Sequence, residues 1–218
     1  MTNSRLIDLS HDVEHGMTTY PGLPAPIVCD YLSRQASRAL YAAGVEFHIG
    51  KIEMVANTGT YVDAPFHRYE DGIDLADLPL EKLANLEAIV VRPGGRAATL
   101  ADFRGLNVRG KAVLVHTGWD AQWRTERYGR DNPFISREAA EWLASAGASL
   151  VGIDSVNIDD LADWTRPAHS VLLGAGIPIC EHLTNLRALA AAEFRFFAVP
   201  VKVRRLGTFP VRAFGILP

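Results

Sequence analysis

Pro65 is the residue that most narrows what this chain can become around its densest group of functional side chains, Asn57-Thr58-Gly59-Thr60-Tyr61-Val62-Asp63-Ala64-Pro65-Phe66-His67. Proline lacks an N–H donor and its ring clashes with the preceding turn, so the segment is not a helix interior. Extended backbone is the alternative, and there residues two or four apart share a face. Asn57, Tyr61, Asp63 and His67 then point one way, up to a bend at Pro65. Asp63 and His67 are a hard oxygen donor and an imidazole, both common ligands of divalent metals. Gly59 removes a side chain where a ligand or another backbone can come close. Two readings stay open on these residues alone. One is a binding face; the other is a tight turn at an edge strand, with Asp63 capping backbone groups and His67 in solvent.

The rest of the chain sets the frame for that segment. With 218 residues and 48% hydrophobic content it can bury one substantial core, and a single domain over 1–218 is expected. A net charge of -3 without a basic run offers no footprint for nucleic acid or an anionic membrane. No stretch approaches a membrane span, and Met1 to Arg5 lacks a signal-peptide pattern. Cys29 and Cys180 stand far apart, which points to a reducing compartment and hence the cytoplasm.

Short β-branched or alternating runs predict strands at Arg5–Ser10, Ala25–Tyr31, Val45–Val55, Leu86–Arg92, Lys111–Thr117, Leu150–Ile153, Ile177–Cys180, Phe196–Val203 and Val211–Leu217. Arg204 to Pro210 reads as the link between the last two. Ile135 to Gly147 is the clearest helix, with Ser136 as its N-cap, Glu138 and Glu141 early, and Gly147 at its end. A helical turn is expected at Thr99–Phe103, a helix at His169–Leu173, and another from a Thr184 cap to Ala192. Arg68 to Pro79 reads as a solvated acidic loop. Gln122 to Pro133, polar but aromatic, reads as an ordered lid or interface segment. Strands alternating with few helices predict an α/β fold with a mixed sheet.

Two blocks of residues resemble the cyclase family of metal-dependent hydrolases, which includes bacterial kynurenine formamidase and isatin hydrolase. The family pattern His-x-Gly-Thr-His-x-Asp-x-Pro-x-His is matched here by Gly59, Thr60, Asp63, Pro65 and His67, while Asn57 and Tyr61 stand where the first two histidines would be. The second block runs from His169 through Gly174-Ala175-Gly176 to Glu181, twelve residues on, like the family segment that supplies a histidine and a glutamate. Gly152-Ile153-Asp154-Ser155 is similar to the strand end beside the family's pocket, and Tyr20, before Pro21-Gly22, occupies the place of a pocket-lining aromatic. Packing a loop onto the core is an equal use for Tyr20.

The resemblance implies a single α/β domain with layered or barrel-like mixed sheets flanked by helices, in a homodimer or homotetramer. It implies Asp63, His67, His169 and Glu181 as the surviving metal set, holding about one zinc or manganese per chain because Asn57 and Tyr61 are far poorer ligands than imidazole. Hydrolysis of a small amide, formamide or cyclic amide follows. His67 is expected to move the proton or ligate, Tyr61 to donate to a developing oxyanion, and Tyr20 and Asn57 to touch the substrate. A non-catalytic ligand-binding protein and an arylformamidase are the alternatives. His182, next to Glu181, is expected to face away from the pocket, whereas His48 can reach towards it.

Overall fold

The computed structural model describes residues 5–189 and 193–218. Its strands in chain order are β1 (Arg5–Asp8), β2 (Ile27–Leu32), β3 (Ile49–Glu53), β4 (Tyr61–Asp63), β5 (Leu86–Val91), β6 (Ala97–Ala98), β7 (Ala112–Val115), β8 (Phe134–Ile135), β9 (Leu150–Ile153), β10 (Ile179–Glu181), β11 (Phe194–Phe197), β12 (Thr208–Pro210) and β13 (Phe214–Leu217). The α-helices are α1 (Arg34–Ser37), α2 (Leu100–Phe103), α3 (Arg137–Ala146) and α4 (Pro167–Gly174). Nine strands form one mixed sheet in the order β1-β13-β11-β5-β7-β9-β10-β4-β12. The centre, β5 through β10, is parallel, and antiparallel strands extend it on both sides. The α/β expectation holds.

Every residue of β7 and β9 is buried, as befits central strands covered on both faces. Alternation sorts their side chains into two cores. Ala112, Leu114, Leu150 and Cys180 join Val62, Leu83, Phe194 and Phe196 on one face. Val113, Val115, Val151, Ile153 and Ile179 meet α3 and α4 on the other, through Ala139, Ala140, Leu143, Ala168 and Leu172. Helix α3 forms because its apolar residues recur on one stripe, Ser136 accepts from Ala139 N and Gly147 closes it at φ 81°.

This two-sided pattern locates the functional side chains. Val62 belongs to the first core, so Tyr61 and Asp63 project to the helical side. On β10, Cys180 likewise sends Glu181 to that side. Register places Glu181 directly opposite Tyr61, and Thr208 of β12 opposite Asp63. A row of polar side chains thus crosses three antiparallel strands beneath α4.

Several local expectations are corrected. The Asn57–His67 segment is not one extended run: Gly59 is left-handed at φ 67°, and Pro65 opens a 3₁₀ turn, Pro65–His67. The close approach at Gly59 is that of a side chain: a Cβ there would lie 2.9 Å from Val13 Cγ2. Arg204 to Pro210 contains β12 rather than a plain link, and the preceding strand is Phe194–Phe197. The acidic loop is an anchor. Asp74 is mostly buried and accepts from the backbone N–H groups of Ala76, Asp77 and Arg205, while Leu75 and Leu78 enter the first core. Thr184 does not cap a helix; its hydroxyl donates to Asp120, and a 3₁₀ turn, Leu186–Leu189, follows. The rest of that expected helix, to Ala192, lies outside the described residues.

Strands β2 and β3 form a separate two-stranded ribbon whose residues are almost all exposed, including Ile27, Val28, Tyr31, Ile49 and Ile52. His48 lies beside it, bonded to Asp30 at 2.8 Å, and is not part of the polar row. Cys29 and Cys180 are both free thiols.

Gly207 ties β12 to the 3₁₀ turn, accepting from Ala64 N at 2.7 Å. A Cβ at Gly207 would sit 2.4 Å from His67 N and 2.5 Å from its Cα, both backbone atoms that cannot swing aside. Gly207→Ala should therefore cost about 1–3 kcal/mol, as overpacking does. Urea denaturation checks this; an unchanged midpoint would show that β12 moves freely against His67.

Candidate active site

Asp63 is fully buried, and its two oxygens have different fates. Oδ1 accepts from the Thr208 hydroxyl. Oδ2 has no hydrogen-bond partner. A buried carboxylate oxygen left without a donor is costly and calls for a cation or a proton. His169 Nε2 lies 3.8 Å from it. His67 Nδ1 is 3.8 Å from Oδ1.

Both imidazoles are pre-set by hydrogen bonds at Nδ1. Asp159 Oδ2 lies 2.6 Å from His169 Nδ1 and also accepts from His169 N. Its Oδ1 accepts from Ala168 N at 2.6 Å, so Asp159 holds both the first turn of α4 and the ring. Thr208 spends its proton on Asp63 and therefore accepts from His67 Nδ1 at 2.9 Å. The Nε2 atoms are left as the free lone pairs, the arrangement that makes histidine a metal ligand. Ligand atoms of Asp63, His67 and His169 all lie within 4.8 Å of one another. An orphaned carboxylate oxygen beside one oriented imidazole, with a second imidazole near the other oxygen of the same carboxylate, fits a divalent cation.

Glu181 adjoins this cluster, with Oε1 3.6 Å from His169 Nε2. Both its oxygens are already engaged: Oε1 accepts from Ile158 N and Oε2 from the Tyr61 hydroxyl, each at 2.6 Å. Of the four expected ligands, three converge and Glu181 stands beside them. Tyr61 is buried in the site, but its hydroxyl proton goes to Glu181 and is not free for an oxyanion. Asn57 and Tyr20 line a cavity of about 480 Å³ that opens onto Tyr61, His67, His169 and Glu181.

Charge explains the titration of the cluster. Burial alone would lower His169, but the carboxylates of Glu181, Asp159 and Asp63 outweigh it and raise its pKa to about 10. Burial works against ionised Asp63 too, yet His67 and His169 hold it below the ordinary carboxylate range. Glu181 moves the other way: burial, opposed by His169 and helped by Asp63, pushes it up to about 7. Without a metal, one imidazolium supplies the positive charge that these carboxylates require.

His182 is the residue that sequence reasoning misplaced. Alternation sends neighbours to opposite faces only while both stay in the strand, and β10 ends at Glu181. His182 turns left-handed at φ 56° and is fully buried behind Tyr61. Its Nδ1 is 2.9 Å from the Tyr128 hydroxyl and its Nε2 is 3.3 Å from the Tyr61 hydroxyl. Because Tyr61 donates to Glu181, it accepts from His182 Nε2–H, and Tyr128 donates to the bare Nδ1. A single donor direction runs Tyr128, His182, Tyr61, Glu181. The expected lid supplies its back wall: Trp123 stacks on His11 at 4.0 Å and meets Tyr128 and His182 edge-on. Asp154 serves neither cluster; it accepts from the Thr117 hydroxyl and from Thr117 N and Gly118 N. Asp159 and Thr208 were equally missed, since nothing in their spacing marks a residue that acts by holding a histidine.

Together these features define a small α/β protein with a buried carboxylate–imidazole cluster opening onto a cavity. The chain belongs to the family described as Putative cyclase, whose model matches residues 7–160. It is 28% identical over 214 residues to a kynurenine formamidase of Bacillus cytotoxicus, covering 98% of each chain. Its fold is shared with isatin hydrolase A from Labrenzia aggregata (20% identity, 98% of this chain and 94% of that one, TM-score 0.80). A predicted metal-dependent hydrolase from Bacillus stearothermophilus is similarly alike in fold (23% identity, 98% of each chain, TM-score 0.77).

Burial holds His182 neutral, lowering its pKa from 6.5 to about 3. An unfolded histidine takes its proton near 6.5, so between these values the unfolded chain binds more protons and stability falls as the pH drops. A loss on the order of a few kcal/mol is expected across that window. His182→Gln should flatten the slope of urea midpoint against pH between 6.5 and 4. An identical slope in both proteins would assign the acid sensitivity elsewhere.

Proposed function

We propose that this chain is a metal-dependent hydrolase of a small non-peptide C–N bond: an amide, a formamide or a cyclic amide. The observation that carries the reading is the unpartnered Oδ2 of Asp63, set against two imidazoles whose Nδ1 atoms are already fixed. Asp63 and His169 would hold one divalent cation, zinc or manganese, with Glu181 alongside. When bound, the cation supplies Lewis acidity, easing deprotonation of water and attack on a carbonyl.

The remaining work falls to the chain's own groups. Asp159 keeps His169 in the tautomer whose Nε2 faces Asp63 and Glu181. Tyr61, backed by His182, holds Glu181 in place. His67 is the member of the cluster that is about a third exposed and lines the cavity. With Nδ1 donating to Thr208, its Nε2 takes the proton of the attacking water. It returns that proton to the leaving nitrogen as the C–N bond breaks. Asn57 offers amide donors to the substrate carbonyl, and Tyr20 packs against its apolar part.

An aryl formamide is the first substrate to try, because relatives such as the Bacillus cytotoxicus protein, alike along nearly the whole chain, are kynurenine formamidases. Asp63→Asn and His169→Ala should lose both the bound metal, measured by elemental analysis after dialysis, and turnover of formanilide. His67→Ala should keep the metal and lose turnover by about 10²–10⁴-fold, the usual worth of a general base. Loss of metal from His67→Ala would make it a ligand instead. Absence of metal and turnover in the wild type, even after reloading, would replace the hydrolase with a ligand-binding protein.

The β2–β3 ribbon supports a homodimer. Two-stranded ribbons are marginal in water on their own, and this one exposes large apolar side chains. Over the ribbon and its connection, residues 27–53, charges balance, Asp30, Glu46 and Glu53 against Arg34, Arg38 and Lys51, so two copies would not strongly repel. Ile52→Glu should convert a dimer into a monomer by analytical ultracentrifugation; a monomeric wild type would refute the pairing. Free thiols at Cys29 and Cys180 suit the reducing cytoplasm. Among the described residues no helix is long and apolar enough to cross a membrane.

A further inference from the structure

The cavity is not uniformly acidic. Its floor carries the Asp63–His169 cluster, but its wall includes Arg68 and Arg166 beside the aromatic rings of Tyr20 and Trp164. Some guanidinium groups are paired at the surface: Arg96, Arg204 and Arg212 each reach a carboxylate. Among the described residues neither Arg68 nor Arg166 does. Two guanidiniums in one small cavity, neither in contact with a carboxylate although the Asp163 charge acts on Arg166, raise the potential there and attract an anion.

Both guanidiniums are held in position. Arg166 donates from Nη1 to the carbonyl oxygens of Asp160 and Asp163, at 2.8 and 2.9 Å. Neutral carbonyls fix the group without cancelling its charge, and Nε and Nη2 remain as donors. Arg68 reaches the Ser170 hydroxyl at 3.4 Å, and that hydroxyl donates to the Arg166 carbonyl at 2.8 Å. The two arginines therefore flank the same first turn of α4. Arg166 also lies 5.8 Å from the Trp164 ring, which is 87% exposed and so offers an open apolar surface at the rim. Tyr20 is close enough for the Arg166 charge to act on its phenol.

We propose that Arg166 and Arg68 form an anion subsite, selecting a substrate that carries a carboxylate on its aromatic part, away from the bond that is cleaved. Planar guanidinium donors match a carboxylate, and an adjacent ring binds the arene that bears it. This deepens the hydrolase reading by naming the charge of its substrate, but the subsite itself requires no metal.

The test begins on chelator-treated protein, by calorimetric titration with benzoate and with neutral benzamide. Benzoate should bind the wild type more tightly, and Arg166→Gln should weaken it about tenfold or more while leaving benzamide unchanged, the scale of one charge-assisted hydrogen bond. Arg68→Gln, which loses a long contact to Ser170 and an approach to the Tyr69 ring, should weaken benzoate in the same direction and serves if Arg166→Gln does not fold. Raising the salt should weaken benzoate alone. In the metal-loaded enzyme, 3-formamidobenzoate should be favoured over formanilide in kcat/KM, and Arg166→Gln should erase the preference. Equal binding of benzoate and benzamide, or insensitivity of benzoate to both substitutions, overturns the subsite even if formanilide is hydrolysed. Arginine-dependent benzoate binding without turnover of either formamide keeps the subsite and rejects the hydrolase.

Discussion

One imidazole buried among three carboxylates sets the terms for the rest of the structure. His169 has Asp159 on one nitrogen and Asp63 and Glu181 near the other. Such a group is stable only if positive charge is present and every remaining oxygen finds a donor. The fold meets the second condition for every oxygen but Asp63 Oδ2: β12 brings Thr208 to Asp63 Oδ1, and the chain before α4 brings Ile158 N to Glu181. The first condition is met by a proton or by a cation, and this competition couples metal binding to pH.

The sheet makes that cluster possible by mixing its two modes of pairing. Parallel strands β7, β9 and β10 carry the chain to one end, where α4 begins, while β4 and β12 run antiparallel beside them. Residues separated by more than a hundred positions, Tyr61 and Glu181, become a cross-strand pair, and Asp63 and Thr208 become another. Neither pair depends on a loop. A site built on strand register and a helix start is held by the same packing that holds the two cores.

The sequence was most legible where one residue type admits few conformations or one periodicity dominates. The helix at Arg137–Ala146 announced itself through Ser136, its apolar stripe and Gly147. Asp63, His67 and His169 stood out through the resemblance of those two blocks to the family's motifs, since the residues alone also allowed a tight turn. The roles of Thr208 and Asp159 were not legible, since each works by contact with a histidine that only the folded register supplies. His182 failed for a related reason: the alternation rule assumes continuing strand, and the left-handed residue that ends β10 breaks it. The ends of β11 and the existence of β12 also depend on pairing partners far along the chain, which local propensity does not contain.

Tyr61 shows how the two departures from the family motif can be absorbed. In the resembling pattern, positions 57 and 61 carry imidazoles, which would share a cation with Glu181 and Asp63. Here the Tyr61 phenol reaches the same carboxylate and gives it a proton's worth of stabilisation through a 2.6 Å hydrogen bond. The phenol keeps that proton, because burial and the charges of Glu181 and Asp63 raise its pKa well above the ordinary value. It is oriented by His182, and His182 by Tyr128, so the donor chain ends in a carboxylate already satisfied. A second cation bound through Tyr61 and Glu181 would have to displace the Tyr61 proton at a buried site. The Tyr61 hydrogen bond thus satisfies Glu181 without a cation, whereas Asp63 Oδ2 beside His169 is left without a donor.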